Sequence, residues 1–80
     1  MSESEIKLRQ AFAAGLNLPE QEVNESLQYA STPGWDSVAH MALIASLDST
    51  FDIMMDTDDV IDLSSYAKAR EILNKYGIQF

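Results

Sequence analysis

The sequence predicts an all-α fold: a four-helix bundle with a short third helix and a long loop after the first helix. Three observations carry this. Apolar residues recur at helical spacing in separate stretches of the chain. Each stretch opens on a Ser, Asp or Thr able to accept hydrogen bonds from the first free N–H groups of a helix. No stretch alternates apolar and polar residues over strand length; "FDIMM" at 51–55 is the nearest candidate and is short. With 80 residues the chain makes one domain, 1–80, and leaves no room for a cleft between domains. So small a core favours an architecture of local contacts.

The first helix opens at Ser2, with Glu5 three residues on in capping-box spacing. Leu8, Ala11, Phe12 and Leu16 form its apolar face. Gly15 and the "NLP" of Asn17 to Pro19 are expected to end it. Residues 17–35 are polar and punctuated by Pro19, Pro33 and Gly34. A connection this long is functional or carries short structure of its own. Val23, Leu27 and Tyr29 are expected to pin it to the core. A second helix runs from about Asp36 to Phe51, with Asp36 as its cap. A short third helix lies around Asp58 to Leu63, capped by Asp56 or Thr57. Ser64 or Ser65 caps the fourth, where Ala69, Ile72, Leu73 and Tyr76 share a face. Lys75 in its last turn and Gly77 just beyond suit a helix end.

The charge balance narrows the partners. Thirteen acidic against 5 basic side chains give a net charge of −8. Such a surface repels phosphate backbones, which argues against nucleic acid and points to basic protein surfaces. A hydrophobic content of 46% argues against a disordered acidic tail. No run approaches a membrane span, and "MSESEIKLRQ" lacks a signal pattern, so a soluble, cytoplasmic monomer is expected. With no cysteine, thiolate metal sites and thiol catalysis are absent from the chain itself.

The second helix carries two apolar faces. His40, Leu43, Ile44, Leu47 and Phe51 cluster on one side at about 100° per residue. Opposite them stand Val38, Met41, Ala42, Ala45 and Ser49, where a solvated helix normally carries charge. Either this helix is buried on both sides, or the second strip docks a partner. His40 falls in phase with the buried stripe and reads as a core-edge residue, and Trp35 as a packing residue that could also shelter a group attached nearby. Met54 and Met55 read as adaptable core filler. The acids between Asp56 and Asp62 read as a solvated face, because "DTDDVI" lacks the glycine of a calcium loop, and no metal site is expected.

"TPGWDSVAH", Thr32 to His40, concentrates the unusual chemistry. Ser37 admits three readings. It is a plain helix-start residue after an Asp cap. It is a nucleophile working with His40, three residues on, and Asp36; but flanking glycines, an oxyanion hole and a pocket are not legible. Or it is a site of covalent attachment for a phosphate-linked group, since the first turn of a helix favours phosphate.

The wider pattern selects among them. "GWDSVAHMALIASLDSTFDI", Gly34 to Ile53, resembles the prosthetic-group site of acyl carrier proteins, in which an Asp-Ser-Leu motif opens the second helix. Asp36 and Ser37 match, and Val38 stands at the usual leucine. Leu43, Leu47 and Phe51 fall where that family has core residues. "DTDDVIDLSSYAKAREIL" resembles its acidic third helix, loop and fourth helix, so the likeness covers nearly the whole chain. The resemblance implies the acyl-carrier type of bundle, with no enzymatic activity of its own. It implies a 4′-phosphopantetheine arm, transferred from coenzyme A to Ser37 by a phosphopantetheinyl transferase with magnesium, Asp36 being a transferase contact. The arm's thiol holds acyl or aminoacyl groups as thioesters, so a chain without cysteine still carries activated groups. By position, Val38, Met41, Ala42 and Ala45 would meet basic patches on loading and transferring enzymes, with Asp36 and Asp48 supplying charge. Phe12, Leu43, Leu47 and Ile61 would line a core shelter for an acyl chain. Ala39, Ala42 and Ser49 stand where acids are frequent in fatty-acid carriers, so docking here would lean on apolar contact. Trp35 before the motif and "AH" after it are closer to freestanding carriers of specialised lipid or secondary-metabolite pathways. The alternative is an acidic helical adaptor that docks through the second helix and takes no cofactor.

Overall fold

A computed structural model describes residues 2–80. Among them the chain forms helices α1 (Glu3–Leu16), α2 (Ser37–Phe51), α3 (Thr57–Asp62) and α4 (Tyr66–Lys75). One turn of 3-10 helix, Glu20–Glu22, interrupts the long first loop. No strand forms among the described residues; a single antiparallel bridge pairs Gln28 with Ser65. The stretch 51–55 turns instead, with Asp52 in left-handed backbone at φ 53° closing α2.

Every α-helix is capped by a side chain. Ser2, Asp36, Asp56 and Ser65 accept from the N–H groups of Glu5, Ala39, Asp59 and Lys68. Of the alternatives open in the sequence, the caps are therefore Asp56 and Ser65. The capping box on α1 is only half made. The Glu5 carboxylate accepts instead from Tyr66 Oη at 2.5 Å and from Arg70 at 3.1 Å, tying α1 to α4. Burial alone would raise the Glu5 carboxyl, but these hydrogen bonds and the charges of Arg70 and Arg9 hold it below its usual value. At the other end of α4, Gly77 adopts φ 91°, Gly77 N–H bonds to Asn74 O and Ile78 N–H to Leu73 O. This paired motif satisfies two of the helix's free carbonyls.

Of the two stops expected for α1, Gly15 does not end the helix. Asn17 does, in left-handed backbone at φ 57°, which asparagine tolerates better than most residues. Gly15 serves a different purpose: a Cβ added there would stand 2.6 Å from the Leu43 Cα. It lets the backbones of α1 and α2 touch. Gly15→Ala should therefore destabilise by about 1–3 kcal/mol, the usual cost of overpacking, despite alanine's better helix propensity. Urea unfolding of the two proteins checks this; equal midpoints would mean the helices separate freely.

The core lies between α1, α2 and α4, with the long loop folded over it. Leu8, Phe12, Leu43, Leu47 and Leu73 are fully buried. From the loop, Val23, Leu27 and Trp35 are buried too. Phe12 sits at the centre, edge-on to Trp35 at 5.6 Å and to Tyr66 at 4.9 Å between ring centroids. The pinning expected of Val23 and Leu27 is present, and the Arg9 guanidinium donates to Val23 O at 2.5 Å. Tyr29 lies on the rim instead, half-exposed against His40 and Trp35.

Two further expectations are corrected. Met54 is 87% exposed, while Met55 alone of the pair is core, with its N–H bonded to Asp48 Oδ1. The acids after Asp56 are not all solvated either. Asp59 is buried against α4, accepting from Lys75 Nζ at 2.6 Å and Tyr76 Oη at 2.7 Å. The Lys75 hydrogen bond first, then that of Tyr76, holds the Asp59 carboxyl below the usual carboxylate range. A depressed folded value means that Asp59 adds stability above its unfolded value, near pH 3.9, and that this is lost as pH falls through the lower folded value. The thermal midpoint should drop steeply below about pH 4 in the native chain and less steeply in Asp59→Asn. Parallel curves would remove the Asp59–Lys75 pair from the account.

Candidate functional site

The site grows from the start of α2. Trp35 N–H bonds to Thr32 O, closing the turn that contains Gly34 at φ 88°. Asp36 follows in extended backbone, and its Oδ1 accepts from Ala39 N–H at 2.9 Å. Ser37 is thereby the first residue of the helix, with its side chain exposed. The N–H groups of Ser37 and Val38 make no hydrogen bond within the chain. They are the free donors of a helix start, at its positive end.

Beside Ser37 opens a cleft of about 420 Å³. Its walls come from four parts of the sequence: Tyr29 of the long loop, Ser37, His40 and Met41 of α2, Val60 and Ile61 of α3, and Leu63 with Ser64 after it. The lining is mainly apolar, with the hydroxyl-bearing Ser37, Tyr29 and Ser64 among it. Such a mix of apolar walls and few polar groups is typical of small-molecule sites.

Behind the cleft runs a hydrogen-bonded strap. Trp35 Nε1–H donates to His40 Nδ1 at 3.0 Å, and His40 Nε2 meets Val60 O at 2.8 Å. An indole N–H can only donate, so Nδ1 is the acceptor and Nε2 carries the proton given to Val60. The two rings are stacked, 6.1 Å apart at an interplanar angle of 20°. The strap joins the loop, α2 and α3. It also occupies both nitrogens of His40, leaving none to take a proton from Ser37. The Asp36 carboxylate is engaged at the helix start. The structure thus places Asp36, Ser37 and His40 together without forming an acid–base relay.

Of the two apolar faces on α2, only one is buried. His40, Leu43, Ile44 and Leu47 face the core. Val38 is 79% and Met41 59% exposed, and Ala42, Ala45 and Ser49 are exposed beside them. The reading of a helix buried on two sides is therefore set aside. Asp48 lies at the end of this strip, half-buried, with Oδ1 bonded to Met55 N–H. Phe12, Leu43 and Leu47 lie in the sealed core, whereas Ile61 is 76% exposed on the rim of the cleft. The proposed shelter of these four residues is thus not one continuous lining.

Tyr29, Val60, Leu63 and Ser64 were not singled out as site residues in the sequence. They come to Ser37 from segments distant along the chain, and no spacing rule connects them. Among the described residues no group of three or more metal-ligating side chains comes together, and no helix is long and apolar enough to cross a membrane. No family model, no curated protein and no solved structure matches this chain.

Proposed function

We propose that this protein is a carrier that holds acyl or aminoacyl groups as thioesters on a 4′-phosphopantetheine arm attached to Ser37. The observation that carries the reading is the setting of the Ser37 hydroxyl: exposed, first in a side-chain-capped helix, and on the rim of an apolar cleft. The chain's own residues fit such a group. Ser37 Oγ would form the bond to phosphorus as its proton leaves and the phosphoanhydride of coenzyme A breaks, with adenosine 3′,5′-bisphosphate as the leaving group. The unbonded N–H groups of Ser37 and Val38 suit phosphate oxygens at a helix start. Tyr29, Met41 and Ile61 offer the apolar surface along which an arm can lie. When attached, the arm supplies the thiol that the sequence lacks.

The protein does no chemistry of its own in this reading. It presents its cargo to loading and transferring enzymes, and the exposed strip of Val38, Met41, Ala42 and Ala45 is the surface for that contact. Asp36 and the net charge of −8 favour basic partners, the phosphopantetheinyl transferase among them. Asp48 contributes less than its position in the sequence implies, since it is tied to Met55. The same exposed strip is what an adaptor without a cofactor would use, and it keeps that second reading alive.

Labelling separates the two. The native chain, incubated with a fluorescent coenzyme A conjugate, magnesium and a broad-specificity transferase, should take up one fluorophore per chain. A known carrier labelled in parallel under the same conditions guards against an inactive transferase. Apo chain, confirmed by intact mass, that stays dark in that comparison favours the adaptor.

A further inference from the structure

We infer that the Trp35–His40–Val60 strap limits the cargo of Ser37 to compact acyl or aminoacyl groups, which lie in the open cleft, and bars long alkyl chains from the core. The inference rests on the carrier reading and adds to it the class of cargo. It also replaces the expected core shelter with a surface one.

Three observations support it. First, the cleft and the core are separate spaces. Ser37, Met41 and Ile61 belong to the cleft, whereas Phe12, Leu43 and Leu47 are fully buried behind it. Second, the passage between α2 and α3 is fastened. His40 Nε2–H holds Val60 O at 2.8 Å, and Trp35 holds the other side of the same ring. A chain that passes beside this ring must break the part-buried bond to Val60 O or the buried one from Trp35 Nε1, and a buried ring nitrogen or indole N–H left without a partner is costly. Third, the space behind the strap is filled. Trp35 is 1% exposed and packs edge-on to Phe12, which packs in turn on Tyr66, so a chain arriving there meets aromatic rings in close contact.

The cleft itself has the size and character for a compact group. Its volume of about 420 Å³ lies toward the lower end of the range of small-molecule sites, about 300–1,000 Å³. The rings of Tyr29 and His40, edge-on at 5.3 Å, and the thioether of Met41 suit an aromatic or short branched group. A flexible alkyl chain gains less here, because it must be ordered on an open surface.

Trp35 is the chain's one tryptophan and reports directly on the strap. The native holo-protein is loaded with acetyl, hexanoyl or dodecanoyl groups, and Trp35 emission and the rate of thioester cleavage by hydroxylamine are followed. The inference predicts the same Trp35 emission for all three and no protection of the dodecanoyl thioester. A shift in Trp35 emission that grows with chain length, together with slower cleavage, would overturn it. In His40→Ala the strap is open, and the dodecanoyl group should then shift Trp35 emission. If His40→Ala does not fold, the native series decides alone. Failure of the carrier reading is seen separately, as confirmed apo chain that takes up no arm. The acyl series is then attached to Ser37→Cys through a pantetheine-length maleimide, this being the only cysteine present. Length-independent Trp35 emission supports the barrier there, and length-dependent emission overturns it.

Discussion

Phe12→Ala removes a large share of the protein's stability. Phe12 is fully buried and is the ring on which Trp35 from the loop and Tyr66 from α4 both pack. Truncating a buried phenylalanine costs about 3–5 kcal/mol, part in lost transfer energy and part in the cavity left behind. At about 0.05–0.15 kcal/mol per residue, a chain of 80 residues has roughly 4–12 kcal/mol to lose. The variant should show a large fall in its urea midpoint, with Trp35's buried emission lost at correspondingly lower denaturant. A fall under about 1 kcal/mol would mean that the neighbouring rings collapse into the gap and that Phe12 is not the centre of the core.

On the carrier reading, Ser37→Ala should lose all attachment of the arm and keep its stability. The side chain is exposed, and the helix start is held by Asp36 rather than by Ser37. Exposed substitutions away from caps and cores change stability by no more than about 0.5 kcal/mol. The contrast is Asp36→Ala. It removes the hydrogen bond to Ala39 N–H, at about 1 kcal/mol for a lost cap, but leaves the Ser37 hydroxyl in place. Labelling and thermal unfolding on the same samples separate the effects. Ser37→Ala should be dark and unchanged in midpoint; Asp36→Ala should be labelled more slowly and melt earlier. If Ser37→Ala still accepted the arm, another hydroxyl would be the site.

The helices were legible in the sequence because their signals are local. The Ser2, Asp36 and Ser65 caps and the spacing of Leu8, Phe12, Leu43, Leu47, Ile72 and Leu73 depend on residues a turn or two apart. What misled was local chemistry with a distant partner. Gly15 looks like a helix stop until the Leu43 backbone is placed against it. Asp59 looks like one of a row of solvated acids until Lys75 and Tyr76 fold back from α4. Met54 and Met55 are indistinguishable in sequence, and only the folded chain distinguishes the exposed Met54 from the buried Met55. The site divides in the same way. Ser37 and Asp36 stand out as a motif, but the cleft wall of Tyr29, Val60 and Ser64 exists only once loop and α3 are brought alongside α2.

His40 shows how a residue's neighbours fix its role. In sequence it stands three residues from Ser37, close enough for a base and a nucleophile. In the fold its two nitrogens serve Trp35 and Val60, and its work is to hold α3 in place. The same ring that has no free nitrogen for Ser37 forms part of the wall of its cleft.

The intact mass of the native chain before and after incubation with coenzyme A, magnesium and a phosphopantetheinyl transferase tests the central claim most directly. The account predicts a gain of one phosphopantetheinyl group, mapped by peptide fragmentation to Ser37. No gain from confirmed apo protein, while a known carrier is modified in the same tube, would contradict it.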